Sequence, residues 1–164
     1  MKKIAILVAL SLGASGLYLA LRPSDDLVMH QVWIDHLPTS ETDMIAQLLF
    51  IEQRGQQVGG AVIHASAWRT NLEAFRHQRS GNTWTLDFPQ AKQKAKVKLK
   101  AYRCEKKVKP PFQLCLDVTT DRGTVTLYSS DDWRFDDDEG IGARHFPIDK
   151  DATVSGPRLS DVLR

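Results

Sequence analysis

Turn signals recur along the chain at intervals of about ten residues. They are Leu37-Pro38-Thr39-Ser40, Arg54-Gly55, Arg79-Ser80-Gly81-Asn82, Pro89-Gln90, Lys109-Pro110-Pro111 and Asp121-Arg122-Gly123. Between them lie short runs rich in β-branched and aromatic residues, too short for a helical domain but right for strands joined by tight connections. The spacing predicts strands near 28–35, 43–53, 58–66, 70–78, 83–88, 93–104, 112–119 and 124–129. An all-β, antiparallel, eight-stranded meander that closes or nearly closes into a barrel accounts for all of them, preceded by one N-terminal apolar helix. The stretch 42–54 also fits a helix: Ser40 and Asp43 resemble a capping box, and Met44, Leu48 and Ile51 recur at helical spacing. Trp68, Leu72 and Phe75 repeat the ambiguity. The turns on either side favour strand at both places.

Register can be tested on paper, because a true pairing puts like side chains on like faces. Turning at Gly81-Asn82 sets Phe75 opposite Phe88, His77 opposite Leu86 and Arg79 opposite Trp84. The other face then pairs Arg76 with Asp87 and Gln78 with Thr85, which is what a half-buried hairpin needs. For 93–104 with 112–119, placing Cys104 directly opposite Cys115 also sets Lys98 against Asp121, Lys100 against Thr119 and Tyr102 against Asp117. The other face of that ladder reads Leu99 with Thr120, Ala101 with Val118 and Arg103 with Leu116.

Ahead of the meander, Ile4 to Leu21 runs 18 residues without a charge, behind Lys2 and Lys3 and before Arg22-Pro23. As a helix it would measure about 27 Å, close to the hydrocarbon thickness of a bilayer. A cleaved signal peptide fits, with Ala14-Ser15-Gly16 as the small residues of a cleavage site. A retained span fits as well, since cleavage there leaves Leu-Tyr-Leu-Ala-Leu at the new terminus. Both orient the remainder outside the cytoplasm, in the periplasm or cell envelope, anchored to the inner membrane if the segment stays. No cysteine follows the apolar run, which excludes lipoprotein processing. In an oxidising compartment Cys104 and Cys115 read as a disulfide. The chain thus divides into residues 1–22 as signal peptide or anchor, 23–135 as the barrel, and 136–164 as an acidic, loosely structured segment.

The formal net charge of +2 conceals this division. Residues 1–22 carry +3 and the rest −1, so nothing marks the domain as a dedicated nucleic-acid binder. Locally the charge is polarised. Lys92, Lys94, Lys96, Lys98 and Lys100 alternate with Gln93, Ala95, Val97 and Leu99, so a strand here carries one cationic and one mostly apolar face. Lys94, Lys96, Lys98 and Lys100 are candidates for contact with an anionic surface. A solvated face that discourages edge pairing is the plainer reading. Asp131, Asp132, Asp136, Asp137, Asp138 and Glu139 form an acidic run that lacks the register of a calcium loop and could lie back against the lysines.

Trp33, Trp68, Trp84, Phe75 and Phe88 are candidates to line a cavity for a small apolar ligand, or else to fill the barrel. His30, Asp35 and His36 could ligate a metal, but no paired His-x-x-x-His or Cys-x-x-Cys accompanies them. No nucleophile elbow, phosphate loop or opposed acid pair is visible, so no catalytic residue, metal or cofactor is expected.

Val32-Trp33-Ile34-Asp35-His36-Leu37-Pro38, Phe88-Pro89-Gln90, Tyr102-Arg103-Cys104, Pro111-Phe112-Gln113-Leu114-Cys115-Leu116 and Tyr128-Ser129-Ser130-Asp131-Asp132-Trp133 resemble a family of small exported bacterial proteins of unknown function. The resemblance implies a lipocalin-like barrel and supplies no ligand or catalytic residues. The chain also lacks the Gly-x-Trp that opens the first strand of true lipocalins. The expected function is that of a non-catalytic envelope protein, binding a small apolar ligand or an envelope partner. The alternative is a membrane-anchored interaction protein that docks on anionic surfaces through its lysine-faced strand.

Overall fold

The computed structural model describes residues 25–51, 59–134, 146–151 and 157–163. The apolar run 4–21 and the acids Asp136, Asp137, Asp138 and Glu139 lie outside the described residues. Among those described, no helix is long and apolar enough to cross a membrane.

Eight strands form a closed antiparallel barrel in sequence order. They are β1 (Val32–Ile34), β2 (Ile45–Ile51), β3 (Gly59–Ala65), β4 (Thr70–Ser80), β5 (Thr83–Phe88), β6 (Gln93–Arg103), β7 (Leu114–Thr120) and β8 (Gly123–Ser129). Two short helices, α1 (Asp25–Val28) and α2 (Leu159–Leu163), flank them. Every expected strand is present. The first is shorter than expected, because residues 25–28 are helical and β1 begins only at Val32.

Alternation decides what faces inward. β5 buries Trp84, Leu86 and Phe88 and turns Thr83, Thr85 and Asp87 outward. β6 buries Val97 and Ala101 and keeps its lysines exposed. Within the stretch 42–54, Ile45–Ile51 is strand, and the misleading periodicity has a physical source. β2 is apolar on both faces, with Ala46, Leu48 and Phe50 inside, and Ile45 and Leu49 outside under a second cluster that includes Phe112, Trp133 and Phe146. A strand covered on both sides reads as a continuous apolar run, from which helical spacings can be picked.

The hairpin at Gly81-Asn82 has the expected register, with Arg76↔Asp87, His77↔Leu86, Gln78↔Thr85 and Arg79↔Trp84. Gly81 supplies the left-handed conformation, at φ 59°. The β6–β7 ladder differs by two residues from the one expected. Tyr102, not Cys104, stands opposite Cys115, and Lys98 meets Thr119 while Lys100 meets Asp117. A slip of two keeps every side chain on its face. It also matches apolar partners better, pairing Leu99 with Val118 and Ala101 with Leu116. Cys104 lies just past the end of β6, where its N–H donates to the Gln113 carbonyl at 2.9 Å. The disulfide to Cys115 forms diagonally, with Cα atoms 5.2 Å apart.

Among the described residues, apolar side chains fill the barrel interior. Trp33, Leu48, Phe50, Leu86, Leu116, Val118 and Leu127 are among its buried side chains. β3 passes close to this core at Gly60, where a Cβ would lie inside van der Waals contact of the Leu49 carbonyl and the Phe75 ring. α1 packs against β6, and the Trp33 indole N–H donates to the Val28 carbonyl at 3.2 Å. In the segment 136–164, expected to be loosely structured, α2 packs on β7 and β8 and buries Leu159 and Val162 in the interior cluster.

Candidate functional site

Four of the five aromatic candidates meet inside the barrel, because Trp33, Phe75, Trp84 and Phe88 all occupy inward positions of their strands. They pack on one another and on Phe50 and His77. Phe50 lies 5.4 Å from Phe75 and 5.5 Å from Trp84 between ring centroids, and Phe75 lies 5.4 Å from Phe88. The His77 imidazole sits 5.1 Å from the Trp84 ring. Edge-to-face packing of this kind consumes the space that a ligand would need.

Trp68 does not join them. It is 73% exposed, standing in the turn between β3 and β4. Ser66 holds that turn, with its N–H donating to the Arg69 carbonyl at 2.8 Å and its Oγ accepting from the N–H groups of Trp68 and Arg69. A residue between strands has no inward position to occupy, so Trp68 is removed from the set of interior ligand contacts.

Among the described residues, clefts open on the outer wall at two places, neither lined by Trp33, Phe75, Trp84 or Phe88. One, of about 480 Å³, lies over β2 and β3 beside Trp68. The other, of about 520 Å³, runs along β8 between the loop Lys107–Pro110 and residues Asp149, Asp151 and Arg158. Near α2 a space of about 20 Å³ touches Phe88, His64 and Glu73, room for one water.

The lysine row is continuous along β6. Lys94, Lys96, Lys98 and Lys100 are all exposed and follow one another at about 6.7 Å, the two-residue repeat of a strand. Lys92 falls outside the strand, in a turn with φ 53°. Asp87 pairs with Lys94 at 3.3 Å, and Lys100 lies over the Tyr102 ring, 5.6 Å from its centroid. Between them Lys96 is flanked by Thr85, and Lys98 by Thr83 and Thr119. The Tyr102 hydroxyl donates to Asp117 Oδ1 at 3.2 Å, and burial together with the Asp117 charge raises its pKa. These lysines have no edge to protect, because closure of the barrel leaves β6 paired on both sides.

A third cluster unites residues that the sequence offers separately, Asp35 and His36 as possible metal ligands and Asp43 in a capping-box pattern. His36, 8% exposed, lies between two carboxylates in the β1–β2 loop. Its Nδ1 is 2.8 Å from Asp35 Oδ1, close but poorly aligned for a hydrogen bond, and its Nε2 is 3.2 Å from Asp43 Oδ2. Asp43 Oδ2 also accepts from the Thr39 N–H at 2.9 Å and hydroxyl at 2.8 Å, while Asp35 Oδ1 accepts from the Ala46 N–H at 2.9 Å. Asp43 therefore organises a turn, and no helix follows the Ser40–Asp43 pattern. Burial pushes the His36 pKa down, but Asp35 and Asp43 outweigh it and the net shift is upward. For Asp43, burial pushes upward, and Thr39 and His36 bring the carboxyl below its ordinary range. The only sequence signal was an acid and a histidine followed closely by Pro-Thr-Ser and another acid. The arrangement is an ion-pair staple.

No family model, curated protein or solved structure matches this chain.

Proposed function

We propose that this is an exported, non-catalytic envelope protein that docks on anionic surfaces through the lysine face of β6. The observation that carries the reading is the lysine row on a strand fully paired on both sides, where edge protection gives it no purpose. A convex cylinder touches a flat surface along a line, and a row of cations along one strand fits that geometry. Threonines stand opposite Lys96 and Lys98 at the centre of the row, and acids stand opposite its two ends, Asp87 at Lys94 and Asp117 at Lys100. Export draws support from the Cys104–Cys115 disulfide and from the basic residues ahead of the uncharged run 4–21. Interior packing favours this reading over a carrier of a small apolar molecule, since the expected aromatic lining is spent on itself.

The test is lysine acetylation of the full chain in vesicles, read by mass spectrometry. Vesicles of phosphatidylcholine alone are compared with vesicles containing phosphatidylglycerol. Lys94, Lys96, Lys98 and Lys100 are expected to react several-fold more slowly on the anionic vesicles. K96E/K98E/K100E should abolish that protection at Lys94. Equal reactivity on both vesicles refutes the proposal.

A further inference from the structure

The cleft beside Trp68 lies on the far side of the barrel from β6. Its floor is the outer face of β2 and β3, including Ile45 and Ala65, and its walls include Pro38, Phe146 and Ile148. Hydrogen bonds fix the walls in place. The Ala67 N–H donates to the Glu41 carbonyl, and the Asp149 N–H to the Pro38 carbonyl, each at 2.9 Å. The groove is thus preformed, yet Trp68 stands on its rim 73% exposed, with Ile148 45% exposed nearby.

A tryptophan offers 150–250 Å² of surface to a partner, the largest single contribution a side chain can make. Here the knob and the groove belong to one face, so a two-fold contact between copies would use each of them twice. The charges agree. Arg69 follows the knob and Glu41 lies on the rim, both exposed, and among the described residues neither makes an ion pair. We infer that the protein pairs with a second copy of itself through this face. Each copy seats its Trp68 in the other's groove and sets Arg69 against the other's Glu41. The contact leaves the lysine row of both copies uncovered and does not depend on the function proposed for it.

Sedimentation of the full chain in detergent micelles over a range of concentrations tests the inference. The native chain is expected to form a dimer that W68A weakens at least about tenfold. R69E and E41R should each weaken it, and R69E/E41R should restore it, because the exchanged charges face each other again across the two-fold. Trp68, Arg69 and Glu41 are exposed, so all variants should unfold thermally with the native chain. A native chain that stays monomeric overturns the inference. So does a dimer that W68A leaves intact, as association through residues 4–21 would give, or a double variant no better than the singles.

Discussion

At the scale of single residues, the His36 staple is the feature with a measurable signature. His36 has a raised pKa in the folded protein, so its ionic contribution is complete below the ordinary histidine value of 6.5 and is lost as pH rises through the folded value. Asp43 is depressed, so its contribution is complete above 3.8 and is lost as pH falls through its folded value. The staple is therefore strongest between those limits. H36Q should lose more stability at pH 5.5 than at pH 8.5, measured by urea unfolding of both proteins at each pH. An equal loss at the two values would show that the imidazole acts through packing alone. The sequence offers Asp35, His36 and Asp43 as separate candidates but not their pairing, because the partner of Asp43 is chosen by a loop conformation that no periodicity encodes. Trp68 shows its apolar character in the sequence, but it falls in the gap between strands 59–65 and 70–80 and so has no inward position.

At the scale of elements, alternation made the strands legible, and the turn at Gly81-Asn82 fixed one hairpin register because a two-residue turn leaves no freedom to slide. The β6–β7 ladder had no such constraint. Its connection is long, and setting the two cysteines directly opposite supplied a register with correct faces but a two-residue displacement. The double apolar surface of β2 stayed hidden because its outer cover comes from Phe112, Trp133 and Phe146, all distant in sequence. The disulfide that misled the register still braces the long connection. With a sequence separation of 11, its removal in C104A/C115A should cost about 3 kcal/mol in the chain-entropy description. Urea unfolding of the native and variant chains measures the difference. A cost well under 1 kcal/mol would mean that the hydrogen bonds of Cys104 and Gln113 hold the connection unaided.

At the scale of the whole molecule, the barrel has two unlike outer walls. One, over β1, β2 and β3, is apolar and largely covered, while the other, over β5, β6 and β7, is cationic and hydroxyl-rich and faces solvent. Among the described residues the interior side chains pack on one another and support both walls. The walls also differ in how they are sewn. β1 has only three residues and meets β8 through the single pair Ile34↔Tyr128. Rivets make up for the missing ladder: the Gln31 side-chain amide donates to Ser129 Oγ and the Ser130 carbonyl, and Ser129 Oγ donates to the Val32 carbonyl, each at 2.6 Å. A cylinder closed this way opens along one seam before it unfolds. Amide hydrogen exchange should be faster for Ile34 and Tyr128 than for the β6–β7 ladder, with Q31A widening the gap, and uniform protection around the barrel would deny the seam. Once parted, that line bares the strand edges that closure had hidden, so two polar side chains, Gln31 and Ser129, guard the cylinder against sticking to its neighbours.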